Sequence, residues 1–98
     1  MQPANPADFT GDGSTHPLSA TPQQAKWVQI TAITVASAAA PIRVGGAGVT
    51  GSVGAPLFVQ GASQFFPQDP TDLTARYELS GMEYNAASGD KFSLMYGI

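Results

Sequence analysis

A chain of 98 residues with no cysteine, a net charge of −3 and only 11% charged residues is one small domain at most, without disulfide staples or thiolate metal sites. Its four basic residues, Lys26, Arg43, Arg76 and Lys91, are scattered along the chain, which excludes the concentrated positive charge of a nucleic-acid grip. Small free-standing domains carry about 25% charged residues, so either Ser, Thr, Gln and Asn clothe this surface or much of it faces other protein.

Residues 1–25 hold Pro3, Pro6, Pro17 and Pro22 and, beyond Met1, only Phe9 and Leu18 as sizeable hydrophobes. With neither helical nor strand periodicity, this segment reads as an extended N-terminal arm. Pinning it costs about 1–2 kcal/mol per residue, so a neighbouring chain is expected to hold it, with Phe9 and Leu18 as anchors. The alternative is that it wraps back along its own domain. No basic segment followed by an apolar one opens the chain, so no secretion signal is expected.

Residues 26–98 read as a small β domain. In 26–35, Trp27, Gln29 and Thr31 fall on one side and Val28, Ile30 and Ala32 on the other. Ile33 and Val35 then change parity, so a bulge near residues 31–32 or cover on both faces is expected. Trp27 is a core or interface residue. The alanine-rich 36–40 stretch, ended by Pro41, is too short for a helix and reads as a loop. The apolar run 30–44 is interrupted by Thr31, Thr34, Ser37, Pro41 and Arg43 and is no membrane span.

Short β-favouring runs follow at 42–44, 49–53 and 57–60, divided by glycines and Pro56. Phe65 and Phe66 are adjacent, so in a strand only one of the two rings can face the core. The strongest signal is 76–96: two strands, 76–84 and 91–96, joined as a hairpin by the turn-forming run 85–90. Phe92, Leu94 and Tyr96 alternate with Lys91, Ser93 and Met95. In the first strand Tyr77 and Leu79 share one parity, Met82 and Tyr84 the other, and a bulge near Gly81 would reconcile them. The sum predicts an all-β fold, a small antiparallel sandwich or barrel with an extended N-terminal arm.

No catalytic, cofactor-binding or metal-ligating set emerges, and the chain is not expected to be an enzyme. Gly45-Gly46-Ala47-Gly48 lacks the lysine of a phosphate loop and reads as a turn. Asp8 and Asp12 lack the alternating ligands and closing Glu of a calcium loop. His16, the one histidine, has no partner at ligand or triad spacing. Glu78 and Glu83 read as solubility groups, and Asp90 as a carboxylate satisfying turn donors. Arg43 and Arg76 are expected to pair with acids of a neighbouring copy. A core this thin predicts that partner contacts add to stability.

From Trp27 onward, Pro41-Ile42-Arg43-Val44-Gly45, Gly54-Ala55-Pro56-Leu57, Phe66-Pro67 and the closing Gly89-Asp90-Lys91-Phe92-Ser93-Leu94-Met95-Tyr96-Gly97 resemble small structural proteins of tailed bacteriophage particles. That group includes capsid decoration or cement proteins and small head or tail fittings. The resemblance implies a virion location, no enzymatic activity, no cofactor, and repeated copies that grip the major capsid protein or other virion subunits, often as a homo-oligomer such as a trimer. It carries no implication of nucleic-acid or membrane binding. Phe9, Leu18, Trp27, Arg43, Phe65, Phe66 and Arg76 are the candidate interface residues. Two other readings are a tail or baseplate component and a carbohydrate- or receptor-binding module with exposed aromatics as stacking surfaces.

Overall fold

Val28, Ile30 and Ala32 are buried while Trp27, Gln29 and Thr31 remain half-exposed, the alternation that makes residues 27–34 a strand with one face on the core. The computed structural model describes residues 7–98, so residues 1–6 of the expected arm lie outside the described residues. In chain order the strands are β1 (Ala7–Thr10), β2 (Thr15–Pro17), β3 (Gln24–Ala25), β4 (Trp27–Thr34) and β5 (Ile42–Gly45). They continue as β6 (Ala55–Leu57), β7 (Ser63–Phe66), β8 (Tyr77–Glu78), β9 (Glu83–Asn85) and β10 (Lys91–Gly97). Every pairing is antiparallel. The strands form three sheets, ordered β1-β10-β4-β7, β2-β9-β5-β6 and β3-β8.

Both four-stranded sheets feed one hydrophobic core. Val28, Ile30, Phe92 and Leu94 come from the first and Ile42, Val44, Leu57 and Tyr84 from the second. An aromatic cluster joins them. Phe9 stacks on Phe92 with centroids 4.9 Å apart, and Tyr84 meets Phe92 edge-on at 4.8 Å.

The parity change in β4 is a bulge at Ile33. Lys91 pairs with Thr34 and Phe92 with Ala32, which leaves Ile33 as the extra residue. The expected bulge near Gly81 is instead a 3-10 helix, Leu79–Gly81, started by the Glu78 carboxylate accepting from Ser80 N–H. It drives Leu79 into the core and separates β8 from β9. The 76–96 region is not a hairpin either. β9 already has β2 on one side and β5 on the other, so no edge is left for β10, and the turn at 86–90 carries the chain to the other sheet.

Residues 7–25 follow the second of the two expectations for the N-terminal segment. They supply β1, β2 and β3, which pair with β10, β9 and β8 of the same chain. Leu18 is buried and Phe9 packs against the core; Leu18 N–H also donates to Met82 O at 2.9 Å. These two hydrophobes, expected to anchor on a neighbour, are part of this chain's own interior. The pairing supplies the backbone hydrogen bonds that such a polar segment would otherwise lack.

Candidate functional site

The outward face of β1-β10-β4-β7 is set by the register. Gln29 lies between Met95 and Phe65, and Thr31 between Ser93 and Ser63. Trp27 sits at one end, its ring centroid 6.1 Å from that of Phe65 and tilted by 44°. Phe65 is 51% exposed. Asp8 and Lys91 stand toward the β1 margin and the far end of this face, and none of the seven residues just named is charged. Period-2 geometry turns the adjacent Phe66 inward, where it packs against the core and meets Tyr77 at 6.0 Å. The expectation that the two phenylalanines would split between core and surface matches this arrangement.

The glycine-rich run behaves as a turn, and it is fastened to the outer face of the second four-stranded sheet. Arg43 donates from Nε to Gly51 O at 3.1 Å and from Nη1 to Gly54 O at 3.0 Å. Gly48 N–H donates to the Glu83 carboxylate and Thr15 Oγ1 to Val49 O, with Val49 buried beneath. Gly48 and Gly54 have φ of 94° and 126°, the left-handed region that glycine enters without cost. Arg43 therefore serves its own loop. Two of its five donors are engaged there, from Nε and Nη1, which fixes the side chain along the loop.

Arg76 differs. Its Nη1 donates to Leu73 O and Ala75 O, both at 2.8 Å, and it lines a cleft of about 220 Å³ with Lys26, Asp69, Ala75 and Tyr77. Tyr77 Oη donates to Pro67 O at 2.7 Å, which ties the loop to β8.

His16 has a partner that its sequence context did not reveal. Its Nε2 lies 2.8 Å from Asp12 Oδ2, while Ser14 N–H donates to Asp12 Oδ1 at 2.9 Å. The Ser14 bond, followed by His16, holds the Asp12 carboxyl below its usual range. The pair is exposed, and no cluster of three or more His, Cys, Asp or Glu side chains that could hold a metal occurs among the described residues. Tyr84 is core, and burial raises its phenol pKa.

Asp90 is 1% exposed. Its Oδ1 accepts from Ala36 N–H at 3.1 Å, and Oδ2 has no partner among the described residues. The expected turn carboxylate thus reaches across to the 35–41 loop, while Asp90 N–H donates to Ala87 O to close the turn itself.

Glu78 and Glu83 serve different segments, so they do not form an acid/base couple. The Glu78 carboxylate accepts from Gln23 N–H at 2.7 Å and from Ser80, and the Gln23 bond leads the effects that hold its pKa below the usual 4.5. A carboxyl depressed in the folded state contributes stability above its unfolded pKa and loses it as pH falls through the folded value. Glu78→Gln is expected to lower the melting temperature near neutral pH and to narrow its gap to wild type once pH drops below about 4.5. Melting curves that stay parallel down to about pH 3 would rule out this role.

No family model matches the chain, and neither a curated protein nor a solved structure matches it.

Proposed function

We propose that the chain is a non-enzymatic structural protein of a virus particle, of the capsid decoration or cement type. It attaches to the major capsid protein or another virion subunit through the outward face that carries Trp27 and Phe65. In this reading the two four-stranded sheets act as an antiparallel sandwich, and several copies work together, so that linked weak contacts add up to firm attachment.

One observation carries the proposal. Phe65 is half-exposed against Trp27 on a four-stranded face whose central residues are uncharged, in a chain with only 11% charged residues. Interface centres are depleted of charge and enriched in aromatics. Attachment through Phe9 and Leu18 has no such support, since both serve the core.

The carbohydrate-binding reading uses the same rings, but their 44° tilt prevents them from forming one flat stacking surface for a sugar. The observation therefore favours a shaped protein pocket. Cryo-electron microscopy of intact particles from the chain's source tests the proposal. The expected density is that of repeated copies on a shell or tail with Trp27 and Phe65 at the contact; absence of the chain from washed particles contradicts it.

A further inference from the structure

The cleft lined by Lys26, Asp69, Ala75, Arg76 and Tyr77 brings together two of the chain's four basic residues. β3 and β8 pair Gln24 with Glu78 and Ala25 with Tyr77. Lys26 follows Ala25 and Arg76 precedes Tyr77, so both stand just beyond the last pair of that ladder. Neither cation has an acid within 4 Å among the described residues, although the Arg76 charge is felt at the Asp72 carboxyl. Among the described residues the single basic side chain within 4 Å of an acid is His16, beside Asp12.

The acid in the cleft wall is already engaged. Asp69 Oδ1 accepts from Thr71 N–H and Thr71 Oγ1, both at 2.8 Å, and from Asp72 N–H at 3.3 Å. Asp72 Oδ1 accepts from Thr74 N–H and Oγ1. These carboxylates shape the 68–75 loop.

The Arg76 guanidinium is oriented by its surroundings. Its two hydrogen bonds both leave from Nη1, to Leu73 O and Ala75 O. Among the described residues Nε and Nη2 make none, and these two nitrogens form the side-on edge that takes a carboxylate with two parallel bonds.

We infer that this cleft docks a single carboxylate, the Asp or Glu side chain of an acidic segment on a protein partner. Arg76 holds it through Nε and Nη2, Lys26 adds its ammonium, and Tyr77 lies against the aliphatic part. The size fits one side chain: about 220 Å³ is below the roughly 300–1,000 Å³ of small-molecule pockets. The flanking Asp69 and Asp72 disfavour a polyanion such as nucleic acid or a polyuronate, which would bring repeated negative charge against them. Leu73, 65% exposed and fixed through its carbonyl by Arg76, offers an apolar neighbour suited to a peptide. The cleft uses residues other than Trp27 and Phe65, so the inference does not depend on the particle assignment.

NMR titration of the full, isotope-labelled chain tests it, with a capped peptide carrying one Glu between leucines as the probe. Saturable shifts are expected at the amides of Lys26, Arg76 and Tyr77 with the Glu peptide, and none with its Gln counterpart. Added salt weakens the binding. Lys26→Gln and Arg76→Gln each weaken it about fivefold. Lys26 contributes no side-chain hydrogen bond to the fold among the described residues, so its variant reads binding alone should Arg76→Gln disturb the loop. Equal response to the Glu and Gln peptides, no response to either, or stronger binding of trigalacturonate or inorganic phosphate overturns the inference.

Discussion

Phe92→Ala is expected to cost about 3–5 kcal/mol, the range for removing a fully buried phenylalanine. Phe92 is 0% exposed, lies on β10 between β1 and β4, and meets both Phe9 and Tyr84. The cavity would open where the two four-stranded sheets touch, and neither side can close it without moving a sheet. Against the roughly 5–15 kcal/mol that holds a typical domain, this is a large part of the total. Urea denaturation should show a much lower midpoint with little change in slope. Phe65→Ala, by contrast, removes a half-exposed ring and should change stability by about 0.5 kcal/mol or less. A Phe92→Ala loss below about 1 kcal/mol would mean that the aromatic cluster does not join the sheets.

Gly11→Ala is expected to cost about 3 kcal/mol, the upper part of the usual range for overpacking. A Cβ at Gly11 would lie 2.5 Å from Ala86 Cβ, Ala86 O and Ala87 O. Two of those atoms are backbone, so a rotamer change cannot relieve the clash. Gly11 is also where the end of β1 fastens to the 86–90 turn. Its N–H donates to Asp90 O at 2.7 Å, and its carbonyl accepts from Gly89 N–H at 3.2 Å. The expected result is a chain whose N-terminal strand separates from β10, detected as a lower melting temperature and early proteolysis within residues 7–14. Wild-type stability in the variant would show that this segment does not dock as described.

Several features were legible in the residues because the relevant physics is local. The alternation in β4 and β10 follows from one buried and one outward face, and the opposed facing of Phe65 and Phe66 follows from the same period. Parity changes were visible too, but a bulge and a 3-10 turn both shift parity. Ile33 proved to be the first and Leu79–Gly81 the second.

Strand pairing was not legible. Residues 76–96 carry the pattern of a hairpin, and only the competition of β2 and β5 for the edges of β9 sends β10 elsewhere. The N-terminal strands escaped notice because runs of two to four residues are too short to show a period and draw their hydrogen bonds from distant partners. Trp27, Phe65 and Arg76 stand out by residue type alone. Lys26 gains its meaning only once the β3–β8 pairing brings it into one cleft with Arg76, and the bonds of Arg43 to loop carbonyls are ones that composition cannot reveal.

The structural claim beneath the rest is that residues 7–25 are paired into the folded domain, which leaves the outward aromatic face and the Lys26–Arg76 cleft for partners. Native-state hydrogen exchange on the isolated chain at low concentration measures this directly, through the amides of Gly11 and Leu18 that donate to Asp90 O and Met82 O. Protection there comparable to that of Ile30 and Leu94 is the expected result. Fast, unprotected exchange at Gly11 and Leu18 while β4 and β10 stay protected would contradict the account and return the segment to the role of an arm.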